Sequence, residues 1–166
     1  MPELRERIAV QKPDIIAVVE TWAYPEIRDA ELALEGFIMY QVDRRQQHGG
    51  GVILFVRDTL VSKSVDMLNS DNYEDCVWCT VNTCNIKLLI GVCYRSPAST
   101  EENNAKLLKL LDRAVNSRWG NRVMILGDFN FRDIDYNRHL VNTGSNTDAS
   151  NFFSEIAGSL SNPECH

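Results

Sequence analysis

The chain has 166 residues, of which 44% are hydrophobic and 24% charged, and its formal net charge is −6. That length and composition fit one ordinary globular domain, residues 1–166, with enough chain to bury a sizeable core. They exclude a membrane-spanning chain, since no apolar run approaches the roughly 20 residues a bilayer crossing needs, and the acidic balance argues against a module that grips duplexes through a basic surface alone.

The amino terminus, Met1-Pro2-Glu3-Leu4-Arg5-Glu6-Arg7, lacks the apolar core of a signal peptide, so an intracellular protein, or an internal piece of a longer one, is expected. Leu4, Ile8 and Val10 lie near helical spacing and predict a helix over 3–11, ended by Lys12-Pro13. Asp14–Glu20 is a continuous apolar run with a carboxylate at its end, which predicts a strand buried on both faces and delivering Glu20 at its carboxyl terminus. A helical turn is expected around 26–34, ending at Gly36, and then a strand over Phe37–Val42. The polar segment 43–51 carries His48 and three consecutive glycines and reads as a loop.

Val52–Val56 is another buried strand, and Leu60–Met67 alternates weakly enough to suggest an edge strand. Cys76–Asn82 and Ile86–Tyr94 form a hairpin across Thr83-Cys84-Asn85. Thr100 followed by Glu101 and Glu102 is a helix start, and Leu107, Leu108, Leu110, Leu111, Ala114 and Val115 give that helix an apolar face. Val123–Leu126 predicts a short strand buried on both faces, and Gly127 turns the chain to present Asp128 and Asn130. Alternation in an extended segment would set those two side chains on one side. A long polar loop follows to about Asp148, and a last helix starts around Phe152. Hairpins and crossover-linked strands together predict a mixed sheet in an α/β sandwich.

The five cysteines, Cys76, Cys79, Cys84, Cys93 and Cys165, are odd in number and expected to be reduced. Cys76-x-x-Cys79 lacks a second pair or paired histidines, so buried strand cysteines are favoured over a zinc site.

Chemistry collects at the carboxyl ends of strands. Glu20, Asp128 and Asn130 offer the oxygen ligands that a hard divalent cation takes alongside water and phosphate oxygens. Tyr94 and Arg95 end a third strand, and His48 lies in the glycine loop, where these groups could clamp and polarise a phosphate. From residue types alone, this predicts metal-assisted hydrolysis of a phosphodiester or phosphomonoester.

Four motifs in order, Asp14–Trp22 with Glu20-Thr21-Trp22, Gly49–Asp58, Val92–Pro97 with Tyr94-Arg95-Ser96-Pro97, and Leu126–Asn130, resemble the endonuclease/exonuclease/phosphatase family, and within it the endonuclease domain of non-LTR (LINE-type) retrotransposons. The resemblance spans residues 3–160. It implies a four-layer α/β sandwich, two β-sheets face to face with helices outside, here incomplete at both termini. It also implies Mg2+ (or Mn2+) as cofactor, DNA as partner and, for a retrotransposon enzyme, a nuclear location. Glu20 would be the metal ligand, Tyr94 the tyrosine at the phosphate, Asp128 the residue that activates water, and Asn130 the amide holding the scissile phosphate. Arg95 and His48 would be substrate contacts. The pattern departs from the family's in two places: no amino-terminal strand with its asparagine precedes residue 3, and no Asp-His dipeptide occurs. None of the three histidines, His48, His139 and His166, has the expected context. A slow or inactive fragment is therefore one expectation, beside a phosphatase of the same fold and a non-catalytic binding module.

Overall fold

Val52–Val56 is buried throughout and lies at the centre of one sheet. In the computed structural model the described residues are 2–22, 29–43, 49–66, 73–119, 122–135, 138, 140–141 and 149–154. The elements in chain order are α1 (Pro2–Gln11), β1 (Ile15–Val19), α2 (Asp29–Leu32), β2 (Phe37–Val42), β3 (Val52–Arg57), β4 (Val61–Ser64), β5 (Cys76–Asn82), β6 (Lys87–Tyr94), α3 (Glu101–Val115), β7 (Val123–Asp128), β8 (Ile134–Asp135) and β9 (Leu140–Val141). The chain divides into two compact units, the first comprising 1–67, 74–94 and 122–128, the second 68–73, 95–121 and 129–166.

In the first unit, β3 is the centre of an antiparallel sheet ordered β1-β3-β2. A second sheet is ordered β4-β5-β6-β7, antiparallel except for the parallel pair β6–β7. Alternation decides what each face does. Val52, Leu54 and Val56 of β3 face Val77, Cys79, Val81, Ile90, Val92 and Tyr94 of the second sheet, and that apolar layer is the core. Ile53 and Phe55 point the other way and are covered by Leu4 and Ile8 of α1, Leu32 of α2 and Leu34. Helix, sheet and sheet thus stack as three layers. The Tyr40 hydroxyl donates to Ser62 Oγ at 2.7 Å and ties the two sheets at a polar point.

The mixed sheet, the hairpin and the edge position of β4 agree with expectation. Two strands do not. β1 is half-buried along its length and β7 also exposes much of itself, with Met124 43% accessible. Each pairs on one side only among the described strands, whereas burial on both faces had been expected. A continuous apolar run reports that a strand meets a core, not how many neighbours flank it.

In the second unit, α3 starts where expected: the Asn103 amide donates to Thr100 Oγ1 at 3.2 Å, and Glu101 and Glu102 follow in the first turn. Leu107, Leu110, Leu111 and Ala114 are buried. The segment expected as a loop after Asn130 contains the small antiparallel pair β8–β9. Residues 149–154 are helical, and Phe152 packs its ring 4.9 Å from Phe129 and 4.5 Å from Phe131 between centroids.

Candidate active site

In the first unit three predicted residues come to one end of the sandwich. Parallel pairing places Tyr94 at the end of β6 beside Asp128 at the end of β7. Tyr94 faces the core between the sheets, so its register partner Asp128 shares that face, two residues beyond the core-packed Leu126. Gly127, with φ +149°, makes the close approach possible: a Cβ there would lie 1.8 Å from the carbonyl oxygen of Cys93. The Tyr94 hydroxyl donates a short hydrogen bond to Glu20 Oε1, which joins the carboxyl ends of the two sheets. Glu20 and Asp128 are both exposed.

Glu20 is not presented by a simple strand end. It has φ +53° and Trp22 has φ +50°, the left-handed region that costs a side-chain-bearing residue energy. The glycine run holds them there. Thr21 N–H donates to Gly51 O at 3.4 Å and Trp22 N–H to Gly50 O at 3.2 Å, carrying the β1–β3 ladder past the strands. Gly51 itself has φ +82°, and a Cβ on it would meet Thr21 Oγ1 at 2.5 Å. The Gly51 N–H donates to the buried carboxylate of Asp75 at 3.3 Å, while the Tyr94 N–H donates to the Asp75 carbonyl at 2.9 Å. Asp75 therefore ties the glycine run to the strand that carries Tyr94. Sequence reasoning passed over it as turn polarity. The available signal was an acid directly abutting a strand that begins Cys76-Val77-Trp78.

Arg95, expected as a phosphate contact, lies in the second unit. It is 6% exposed. Its Nε donates to Asn104 Oδ1 at 2.8 Å, its Nη1 to the carbonyls of Phe129 and Asn130 at 3.2 Å each, and its guanidinium lies 3.9 Å from the centre of the Phe131 ring. Those bonds turn the guanidinium inward, onto the backbone of the segment after β7. Asn130 returns a bond from Nδ2 to the Arg95 carbonyl at 2.9 Å and has φ +50°. The strand ends at Asp128, so the alternation expected to align Asp128 with Asn130 does not extend that far. Asn104 was also missed. It is a buried amide at a core position of α3, one turn before Leu107 and Leu108, and a polar residue in an apolar stripe was the sign.

His48, His139, His166 and Cys165 lie outside the described residues, and with His48 goes one of the two expected substrate contacts. Among the described residues no group of three or more His, Cys, Asp or Glu side chains is clustered to hold a metal ion. One exposed carboxylate at Glu20, fixed by a tyrosine hydroxyl, fits a cation such as Mg2+ that keeps waters and takes phosphate oxygens, and does not fit an all-protein cage. Burial pushes the Cys76 thiol up to about 11 and Cys79 up to about 12, and holds Cys93 well above the usual thiol value.

The family model for the endonuclease/exonuclease/phosphatase family matches residues 3–163. The chain belongs to that family. No curated protein sequence matches it. Among solved structures it is similar to the endonuclease domain of TRAS1, a telomere-specific non-LTR retrotransposon, at 14% identity and a TM-score of 0.68, covering 95% of this chain and 64% of that one. It is also similar to D. rerio TDP2 complexed with a single-strand DNA product, at 13% identity and a TM-score of 0.56, with 95% and 56% covered. A third match is the Bacteroides thetaiotaomicron mannosyl-6-phosphatase, at 14% identity and a TM-score of 0.57, with 93% and 61% covered. The chain thus spans a little under two thirds of these relatives. At such identities the likeness shows the fold, two packed sheets with helices, which is the fold the family's motifs imply. No helix among the described residues is long and apolar enough to cross a membrane.

Proposed function

We propose that this chain carries the phosphodiesterase site of a retrotransposon-type endonuclease domain that acts on DNA with Mg2+ or Mn2+. The observation that supports this most is the joined end of the first unit, where Tyr94 holds Glu20 and stands in register with Asp128. Glu20 would hold the cation, which when bound would supply Lewis-acid polarisation of a phosphate. Asp128 takes a proton from the attacking water. Tyr94 fixes the Glu20 carboxylate in the free chain, and its single O–H turns from Glu20 to a phosphate oxygen as the substrate enters. The family motif carries to Asn130 the role of the amide that holds a phosphate. A nuclear location goes with this reading.

The likeness to a mannosyl-6-phosphatase supports a second reading, phosphomonoester hydrolysis at the same residues. Nicking of supercoiled plasmid against phosphate release from small monoesters, each with Mg2+, separates the two. The test includes a readout that needs no turnover: Mn2+ should broaden the NMR signals of Tyr94 and Asp128 in the wild type and not in Glu20→Gln. No broadening, together with no Mg2+-dependent cleavage lost in Asp128→Ala, would sink the proposal.

A further inference from the structure

Trp22 is the one aromatic ring among the described residues that stands largely in solvent, 52% exposed, while Trp78 and Trp119 are buried. It is also held in place. Its backbone is left-handed and bonded to Gly50, and its six-membered ring lies against Gly49, where a Cβ would sit 3.7 Å from the ring. Gly49 has φ +91°, so the backing glycine is required by its own backbone. A side chain merely tolerated at the surface needs no such support.

Building on the phosphodiester reading of this site, we propose that Trp22 is a stacking platform for an unpaired nucleobase next to the scissile phosphate. Trp22 follows Glu20 by two residues, so their Cα atoms are within about 7 Å, close to one nucleotide's reach. An indole face accepts any base, because every base presents a π-face, and it requires that base to be out of a duplex stack. The substrate class is then a strand that is single-stranded, or locally splayed, at the cleaved step.

Because Trp22 is the solvent-facing tryptophan, the test reads it directly. Short single-stranded oligodeoxynucleotides are titrated into the full chain in Ca2+, with an abasic strand of equal length as the reference. Base-bearing strands should quench the fluorescence and shield it from acrylamide. In Trp22→Ala the preference for base-bearing over abasic strands should fall by roughly 5- to 100-fold, the equivalent of one stacked base, with partial recovery in Trp22→Phe. Equal preference in wild type and Trp22→Ala, or a ring still open to acrylamide at saturation, overturns the platform. Hydrolysis of bis(p-nitrophenyl) phosphate, abolished by Asp128→Ala, reports the underlying reading without any base. Its presence alongside a failed stacking test condemns the platform alone, and binding of neither strand with no hydrolysis condemns both.

Discussion

The Arg95 guanidinium donates from Nη1 to the carbonyl of Asn130 at 3.2 Å, and Asn130 donates back from its side-chain amide to the carbonyl of Arg95 at 2.9 Å. Two short segments far apart in sequence are thereby clasped, with Asn104 of α3 accepting a third bond at 2.8 Å. A lysine cannot reproduce the planar fork. Arg95→Lys should therefore cost about 2–4 kcal/mol in urea unfolding, since the buried guanidinium's part-buried acceptors lose charged donors worth about 1.5–3 kcal/mol each, not fully additively. A change below ~0.5 kcal/mol would show the clasp to be idle.

Tyr94→Phe removes the hydroxyl that holds Glu20 Oε1 and little else. Partners that orient a metal ligand typically matter 10- to 100-fold in metal affinity. Mn2+ affinity, followed by water-proton relaxation, should fall by about that factor in Tyr94→Phe and further in Glu20→Gln, with melting temperature nearly unchanged in both.

The glycine run offers a backbone test. Gly51→Ala places a methyl 2.5 Å from Thr21 Oγ1 at a left-handed position. Asp75→Ala instead leaves the buried Gly51 N–H without its carboxylate. Each should destabilise by about 1–3 kcal/mol by thermal or urea unfolding. Their effects should fall short of additive in the double variant, because both loosen one segment.

The buried thiols make the protein alkali-sensitive. Folded-state values of about 11 for Cys76 and about 12 for Cys79 stand above the ordinary 9.0, because burial disfavours the thiolate. Below pH 9 both states carry the proton and nothing is lost. Above pH 9 the unfolded chain releases protons that the folded chain retains, so stability falls as pH rises, by up to about 1.4 kcal/mol per pH unit per thiol. Melting temperature measured from pH 8 to pH 11 should drop, less steeply in Cys79→Ala. Mass mapping after brief alkylation at pH 8 should find the exposed Cys84 modified and Cys76, Cys79 and Cys93 protected.

Much of this was legible because it is local. The β5–β6 hairpin follows from two strand runs around a polar turn, and the start of α3 from Thr100 and the two acids behind it. The positions of Glu20, Tyr94 and Asp128 at strand ends were readable from the apolar runs before them. What stayed hidden depends on partners distant in sequence. Arg95 looked like a cation at a strand end because its acceptors lie 9, 34 and 35 residues away. The left-handed backbone at Glu20 and Asn130 was hidden too, since neither is glycine and nothing in an apolar run announces such a turn. The half-exposure of β1 and β7 depends on flanking strands, which a strand's own residues do not record.

Gly127 bears on more than packing. β7 meets β6 with Gly127 opposite Cys93, and on the glycine's backbone there is no room for a Cβ beside that carbonyl. A β7 slipped by a single step would move the glycine out of that tight place. The same slip would turn Asp128 to the opposite face of the sheet, away from Tyr94. The glycine acts as an index mark: a residue with no side chain fixes, to one notch, where its neighbour's carboxylate points.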